Sequence, residues 1–308
     1  MMCLSKIITM PLKLHLTIGL MLAMAVTSAN SLAIASEQSS DNFVIALLGQ
    51  HKLLNKALAD NQFRRPLVLN STESPDQLKG EIYAVLNYPF ATVNGALNNP
   101  AHWCNALILH INVKYCRAIS DKAGTVLDIN LGKKYDQPLV ETYKTTFKYS
   151  EVTSAANYFS IELKAADGPL GTHDYRIWVE ATPLKNGQTF LHFTYAYSFG
   201  LTGRLAMKGY LATIGKDKVG FTIDGKQSNA QPNYIQGVRG VVERNTMRYY
   251  LAIDAYLATL KTPPENQLEK SLQVWFDNTE QFSEQLHEVE RAEYFEMKRK
   301  EIQRQNSL

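Results

Sequence analysis

Two histidines and two cysteines lie close together in the sequence, at His102, Cys104, His110 and Cys116. Histidine nitrogens and cysteine thiolates are common zinc ligands, but this spacing matches no CxxC or HxxxH pattern. The third cysteine, Cys3, lies in an export signal described below, so Cys104 and Cys116 are left as an even pair. An even pair in an exported protein is most simply a disulfide. We therefore predict a Cys104–Cys116 disulfide; a metal site is the alternative.

Residues suited to acid–base chemistry are scattered along the chain. His173-Asp174, Glu180, Glu243 and Asp254 could donate or accept protons. The sequence contains no GxSxG, no HExxH, no phosphate-binding P-loop and no GxGxxG between a strand and a helix. These absences favour a binding protein over an enzyme and predict no cofactor and no metal. A lyase-like or cyclase-like enzyme remains an alternative.

Residues 1–35 have the three parts of a cleavable secretory signal. Lys6 and Lys13 form a basic start without acidic residues, Leu16 to Val26 is an apolar run, and Ala33-Ile34-Ala35 offers a cleavage site. The apolar run is too short to cross a membrane, which takes roughly 20 residues. We expect the protein to be exported across the inner membrane, into the periplasm.

The charge of the chain excludes one class of partner. The sequence has 32 basic and 29 acidic side chains, and the signal contains two lysines, which leaves 30 against 29. A near-neutral exported protein is not expected to bind nucleic acid. With 45% apolar residues and 16 tyrosines, the remaining chain can form a sizeable core.

The elements begin with an amphipathic helix at about 42–60 and strands near 66–71 and 80–88. Pro89 then opens a segment of two short helices, which divide at Asn98-Asn99-Pro100. From about residue 125 to residue 199, apolar and polar residues alternate as they do in half-buried antiparallel strands. A short strand at 219–223 closes this β region.

The strongest local signal is the turn Lys185-Asn186-Gly187-Gln188, because Asn-Gly tolerates the positive φ angles of a two-residue hairpin loop. That loop length sets the register of the two strands beside it. The predicted cross-strand pairs are Arg176 with Tyr197, Trp178 with Tyr195, and Glu180 with Phe193.

The chain ends with helices. The stretch from Gly237 to about Leu260 keeps a helical apolar stripe, and Pro263 and Pro264 follow it. A last long helix, 265–303, carries a heptad seam that either packs on the domain or pairs with a second chain. We expect the charged end of this helix, beyond Tyr294, to be solvated.

This order of elements resembles the helix-grip fold of START-like (Bet v 1-like) domains, including uncharacterised exported bacterial proteins that share it. The resemblance is carried by Gly80–Tyr88, the helix pair PFATVNGALNNPAHW, the strands through Ile223 and the helix from Gly237 to Leu260. It implies an α+β fold in which a curved antiparallel sheet wraps around a long helix. The expected divisions are a signal (1–35), a leading helix and strand (36–77), the START-like domain (78–262) and a C-terminal helix with a charged tail (263–308).

The resemblance also implies an apolar cavity between the sheet and the long helix, suited to a lipid or another hydrophobic small molecule. We expect an exported binding or transfer protein; an envelope scaffold that uses the C-terminal helix is a further alternative. A bulky aromatic strand face supplies candidate lining, although the same face could point outward. The candidate ligand-binding residues are Phe147, Arg176, Trp178, Glu180, Phe193, Tyr195, Tyr197 and Tyr249.

Residues 199–214 interleave glycines with leucines and two basic residues. This segment could be a mobile flap that touches a membrane transiently, or a strand with glycine bends. Self-association through 265–303 is a further possible contact.

Overall fold

The computed structural model describes residues 41–226 and 231–307. Its main feature is an antiparallel sheet of eight strands. The strands are β1 (Leu67–Glu73), β2 (Gln77–Leu86), β3 (Val113–Asp121), β4 (Gly124–Leu131), β5 (Tyr143–Ala155), β6 (Tyr158–Asp167), β7 (Thr172–Pro183) and β8 (Thr189–Phe199).

The strand order across the sheet is β1-β2-β8-β7-β6-β5-β4-β3. The strand β2 therefore pairs with β8, the last strand of this sheet along the chain, while β3 to β8 follow one another as neighbours. Helices α2 (Phe90–Leu97) and α3 (Pro100–Leu107) connect β2 to β3, and the long helix α5 (Gly237–Thr259) packs against β1, β2 and β8. This is the helix-grip architecture, so the predicted fold is confirmed.

Close packing of α5 on the sheet depends on Gly80 in β2. A Cβ atom at this position would collide with Oγ1 of Thr246 in α5. Glycine therefore lets the helix approach the strand, and apolar side chains fill the contact on either side. Ile82 and Ala84 of β2 are fully buried there, as are Met247 and Leu251 of α5.

The predicted disulfide is confirmed: Cys104 in α3 is bonded to Cys116 in β3, with their Cα atoms 5.2 Å apart. It fastens the helix pair to the edge strand of the sheet. Beside it, Trp103 is buried and its indole nitrogen donates to the carbonyl oxygen of Leu97 at 2.8 Å. The disulfide and this hydrogen bond together fix the position of α3.

The predicted register of the β7–β8 hairpin is wrong by one residue. The backbone N–H of Leu184 donates to the carbonyl oxygen of Gln188 at 2.8 Å, so these two residues close the hairpin and the loop has three residues rather than two. Within it only Gly187 has a positive φ, of 79°, as in a type I turn closed by a left-handed glycine. The observed pairs are Arg176 with Ala196, Trp178 with Thr194, and Glu180 with His192.

The C-terminal segment is not the single long helix that the heptad pattern predicted. It forms α6 (Pro264–Glu280), α7 (Ser283–Leu286) and α8 (Arg291–Ser307). Leu272 and Trp275 of the seam are buried, and α6 packs on α5 of the same chain.

The expectation that the charged end is solvated holds for Arg299 and Lys300, which are exposed, but is wrong for other residues of α8. Lys298 and Glu301 in α8 are fully buried. The Lys298 ammonium donates to Glu301 at 2.7 Å, and Glu301 also pairs with Lys114 of β3 at 2.9 Å. One face of α8 therefore belongs to the core.

Three further segments complete the described structure. Residues 41–59 are helical (α1), and from Leu47 onward the chain forms one compact unit. The predicted strand at 219–223 is displaced, since β9 (Ile223–Lys226) pairs with β10 (Pro232–Tyr234) outside the main sheet. The glycine-rich segment is a helix, α4 (Leu201–Ala212), and not a strand.

The predicted export signal, residues 1–35, lies outside the described residues. Among the helices of residues 41–226 and 231–307, none is both long and apolar enough to span a membrane.

Candidate functional site

A cavity of about 460 Å³ lies between the inner face of the sheet, α5 and α4. Its mouth is marked by two lining residues that are largely exposed, Tyr143 at the start of β5 and Leu170 between β6 and β7. At its inner end lie Tyr195 and Tyr249, which are buried. The site is therefore a deep recess with one exposed rim.

Four tyrosines, Tyr175, Tyr195, Tyr197 and Tyr249, form the aromatic wall deeper than Tyr143 at the mouth and Tyr210 on α4. Tyr175 stacks on Tyr197 with ring centroids 5.2 Å apart, and Tyr195 lies 5.1 Å from Tyr249 of α5. Burial raises the pKa of Tyr175 to about 12 and that of Tyr195 well above its usual range. The four hydroxyls are therefore neutral at ordinary pH and present polar edges within an aromatic surface.

His110 contributes a polar atom to the same wall. Its ring stacks on Tyr249 at 4.2 Å, and its Nδ1 accepts a 3.1 Å hydrogen bond from the backbone N–H of Asn112. Burial, reinforced by the positive charge of Arg248, holds the pKa of His110 well below its ordinary value. The neutral ring must then carry its proton on Nε2, which has no partner in the described part of the chain.

Arginines of α5 line the cavity one helical turn apart. Arg244 is 1% exposed and donates to the carbonyl oxygen of Val219 at 3.0 Å. Arg248 is 2% exposed and donates to Glu288 at 2.5 Å. Arg244 has no carboxylate partner among the residues that the structure describes.

Glu288 lies at the centre of the positive charge. Its carboxylate also accepts from Lys134 at 2.6 Å and from Lys218 at 3.0 Å. Burial opposes its ionisation, but the attraction of Arg248 and Lys134 outweighs burial and lowers the pKa of Glu288 to about 2. Burial, together with the repulsion of Arg248, lowers the pKa of Lys134 to about 8.

Helix α4 covers one side of the cavity. Its inner surface contributes Gly203, Ala206, Met207 and Tyr210 to the lining. Gly203 fits closely against the turn between β6 and β7, since a Cβ atom there would lie 3.2 Å from the carbonyl oxygen of Gly171. The helix therefore rests on this turn at the cavity mouth.

The structure separates the eight predicted ligand-binding residues into three groups. Tyr195, Tyr197 and Tyr249 line the cavity. Phe147 and Phe193 are buried in the core beside it. The prediction that one strand face carries the cavity lining is wrong for Arg176, Trp178 and Glu180. The one-residue change in the β7–β8 register places these three on the sheet face opposite to α5.

On that opposite face, Arg176 donates to Glu162 at 2.6 Å and lies over the ring of Trp178. Glu180 accepts from His192, and Nε2 of His192 lies 3.3 Å from Glu81. Burial disfavours the charged form of His192, but hydrogen bonds with Glu180 and Glu81 outweigh it and raise the pKa of His192. This polar group does not line the cavity.

The other acid–base candidates have structural partners. Glu243 is buried and accepts from the backbone N–H groups of Phe221 and Thr222. Asp254 pairs with Arg65 at 3.2 Å. The acidic side chain that does line the cavity, within the described residues, is Glu141, which lies exposed at the mouth.

Sequence reasoning missed most of the polar lining, namely Lys134, Tyr175, Arg244 and Arg248. It considered His110 as a possible metal ligand and not as part of the cavity. One signal was available, since Arg244 and Arg248 lie within the otherwise apolar stripe of α5 at a spacing that places them on one helix face. Nothing in the sequence connects Lys134 or Glu288 with them.

No family model matches the sequence, and the search of curated proteins found no match. Solved structures with similar folds include norcoclaurine synthase from Thalictrum flavum, at 12% identity over 48% of this chain and 78% of that chain, with a TM-score of 0.31. Ara h 8.0201 is 7% identical over 62% and 99%, with a TM-score of 0.32. Human StAR-related lipid transfer protein 5 is 9% identical over 56% and 88%, with a TM-score of 0.30. Because these scores are low, the fold assignment depends on the observed strand order.

Proposed function

We propose that this protein binds a hydrophobic small molecule, of lipid type, in the cavity between the sheet and α5. The observation that carries the proposal is the buried tyrosine wall, which encloses a recess of about 460 Å³. Small-molecule sites are typically about 300–1,000 Å³, largely apolar and supplied with a few convergent polar groups. The cavity has all three properties.

Two separate features support an extracytoplasmic compartment. Residues 1–35 have the composition of a secretory signal, and the Cys104–Cys116 disulfide is of the kind that persists in oxidising compartments. We place the protein in the periplasm, where it would hold a molecule that water does not dissolve well.

Helix α4 supports a transfer role in addition to binding. Its outer surface exposes Leu201 and Leu205, at 74% and 61%, beside the basic residues Arg204 and Lys208. Apolar side chains among basic ones suit the surface of a bilayer that contains anionic lipid. Because the inner surface of α4 lines the cavity, a membrane that contacts this helix would lie next to the cavity mouth.

Native mass spectrometry of the protein purified from its exported compartment tests the binding role. A bound mass that organic extraction releases as a lipid or another apolar metabolite is the expected result. If only unliganded protein is found, and added lipid or apolar dye does not bind, the proposal is refuted.

Vesicle flotation tests the transfer role. The protein is expected to float with vesicles of phosphatidylglycerol and phosphatidylethanolamine, and L201N/L205N is expected to abolish this. A matched control is V140N, since Val140 is 91% exposed in a different part of the chain. Flotation that is equal in all three proteins would show that α4 is not the contact.

A further inference from the structure

The wall of the cavity carries more positive charge than its carboxylates can neutralise. Lys134 and Arg248, which line the cavity, pair with the single carboxylate of Glu288, as does Lys218; Lys218 and Glu288 belong to this ion cluster but not to the lining. Arg244 adds a fourth cation, and its charge acts on Arg248. Four cations and one carboxylate leave a surplus of three positive charges, and both arginines are almost fully buried.

A buried charge without a counter-ion is costly, because the protein interior solvates ions poorly. Burial and the repulsion of Arg248 lower the pKa of Lys134 to about 8 even though Glu288 pairs with it at 2.6 Å. Among the described residues, the cavity lining itself contributes one carboxylate, Glu141, which lies exposed at the mouth. The cluster is therefore built to receive negative charge from outside the chain.

Two buried donors show where that charge would bind. Nε of Arg248 and Nε2 of His110 have no hydrogen-bond partner in the described structure, and both residues line the cavity. Both atoms are N–H donors, because the neutral His110 ring accepts at Nδ1 from Asn112. Buried donors are nearly always paired in a finished structure, so an acceptor is missing at this position.

We infer that the ligand is an amphipathic organic anion, whose negatively charged head group binds at His110, Arg244 and Arg248 and whose apolar body lies among the tyrosines. This inference rests on the proposed function, since it assigns the chemical class of the molecule in the same cavity. A neutral lipid could pair these donors through a carbonyl or hydroxyl oxygen, but it would leave the surplus positive charge in place. An anionic one satisfies them and offsets the surplus charge.

Two fluorescent probes with a common body test the inference. N-phenyl-1-naphthylamine is neutral, and 1-anilinonaphthalene-8-sulfonate adds one sulfonate to the same two aromatic groups. The full chain is expected to bind the sulfonate at least about tenfold more tightly, which is the usual size of an added charge-assisted hydrogen bond. Equal affinities would overturn the inference and leave the cavity function standing. If neither probe binds, the proposed function itself fails.

Substitution of Arg244 locates the effect. R244Q is expected to weaken sulfonate binding about tenfold and to change binding of the neutral probe by less than about twofold. K261Q is the matched control, since Lys261 is an exposed cation just beyond the far end of α5. A preference for the sulfonate that survives in R244Q would overturn the assignment. If R244Q does not fold, R244K replaces it. R244K keeps the positive charge and is expected to keep most of the preference for the sulfonate, and loss of that preference in a folded R244K would overturn the assignment.

Discussion

His110 and Tyr249 stack face to face at the inner end of the cavity, with ring centroids 4.2 Å apart and planes inclined by 22°. The contact joins the segment after α3 to the long helix α5. It also orients the imidazole so that Nδ1 accepts from the backbone of Asn112 while the opposite nitrogen belongs to the cavity wall. The protonation state of this ring is therefore a direct test of the cavity geometry.

We predict that His110 stays neutral at pH 6 as the Nε2–H tautomer. Burial and the nearby charge of Arg248 lower its pKa well below the ordinary value of 6.5. The measurement is a two-dimensional NMR titration of the histidine ring nitrogens, with His173, which is exposed, as the internal comparison. A midpoint for His110 at or above 6.5, or a proton on Nδ1, would show that the described surroundings are incorrect.

The register of the β7–β8 hairpin predicts opposite outcomes for two aromatic residues. Y195L is expected to weaken binding of N-phenyl-1-naphthylamine about fivefold, because an aromatic contact is worth about 1 kcal/mol. W178L is expected to leave that affinity unchanged, since Trp178 lies on the sheet face opposite to α5. Both variants must first show a cooperative melt above the assay temperature. A larger loss of affinity in W178L than in Y195L would contradict the observed register and favour the predicted two-residue loop.

The Cys104–Cys116 disulfide should stabilise the fold by about 3 kcal/mol, the chain-entropy value for a closed loop of this size. C104S/C116S is expected to lower the free energy of unfolding by that amount in urea titrations. Wild-type protein in reducing agent serves as the control, because it should match the double variant. Equal stability of the oxidised wild type and the double variant would contradict the prediction.

The low pKa of the Glu288 carboxyl group predicts that the protein loses stability in acid. Its folded pKa of about 2 lies below the ordinary value of 4.5, so the unfolded chain binds more protons in the interval between them. The contribution of this carboxylate is complete above about pH 4.5 and is lost as the pH falls toward 2. E288Q should show a smaller loss of stability over this interval than the wild type, with E284Q, an exposed neighbour, as control.

At neutral pH the same substitution should cost about 3–5 kcal/mol, because it leaves buried cations without their carboxylate. Urea titration at pH 7 measures this cost. A neutral-pH stability of E288Q within about 0.5 kcal/mol of the wild type would show that the ion cluster is not held as described.

Alternation within each strand was readable from the sequence, and so were the helix pair, the disulfide and the order that produces the helix-grip fold. The register between β7 and β8 could not be predicted reliably from the sequence, because it depends on the number of residues in the loop that joins them. Asn186-Gly187 is typical of a two-residue loop, yet Gly187 alone adopts a positive φ. A shift of one residue in the register pairs each residue with a neighbour whose side chain points to the other face of the sheet. The two-residue loop therefore placed Trp178 on the same face as Tyr195, which is wrong.

The polar part of the site was hidden for a different reason. Arg244 and Arg248 interrupt an apolar stripe, but their surroundings cannot be read locally, because Glu288, the partner of Arg248, lies about forty residues further along. Only the tertiary fold brings Glu288 to Arg248. The same contact explains why the heptad pattern did not predict the break between α7 and α8, where the chain turns so that Glu288 can reach Lys134, Lys218 and Arg248.

The central claim, that the recess under α4 holds a hydrophobic molecule, is tested most directly by filling it. Ala206 lines the cavity from α4, whereas Ala212 lies exposed at the end of the same helix. The measurement is the affinity for N-phenyl-1-naphthylamine of A206W against A212W, in variants that melt cooperatively. The account predicts that A206W loses binding by at least about tenfold and that A212W binds as the wild type does. Undiminished binding by a folded A206W would place the ligand elsewhere and contradict the account.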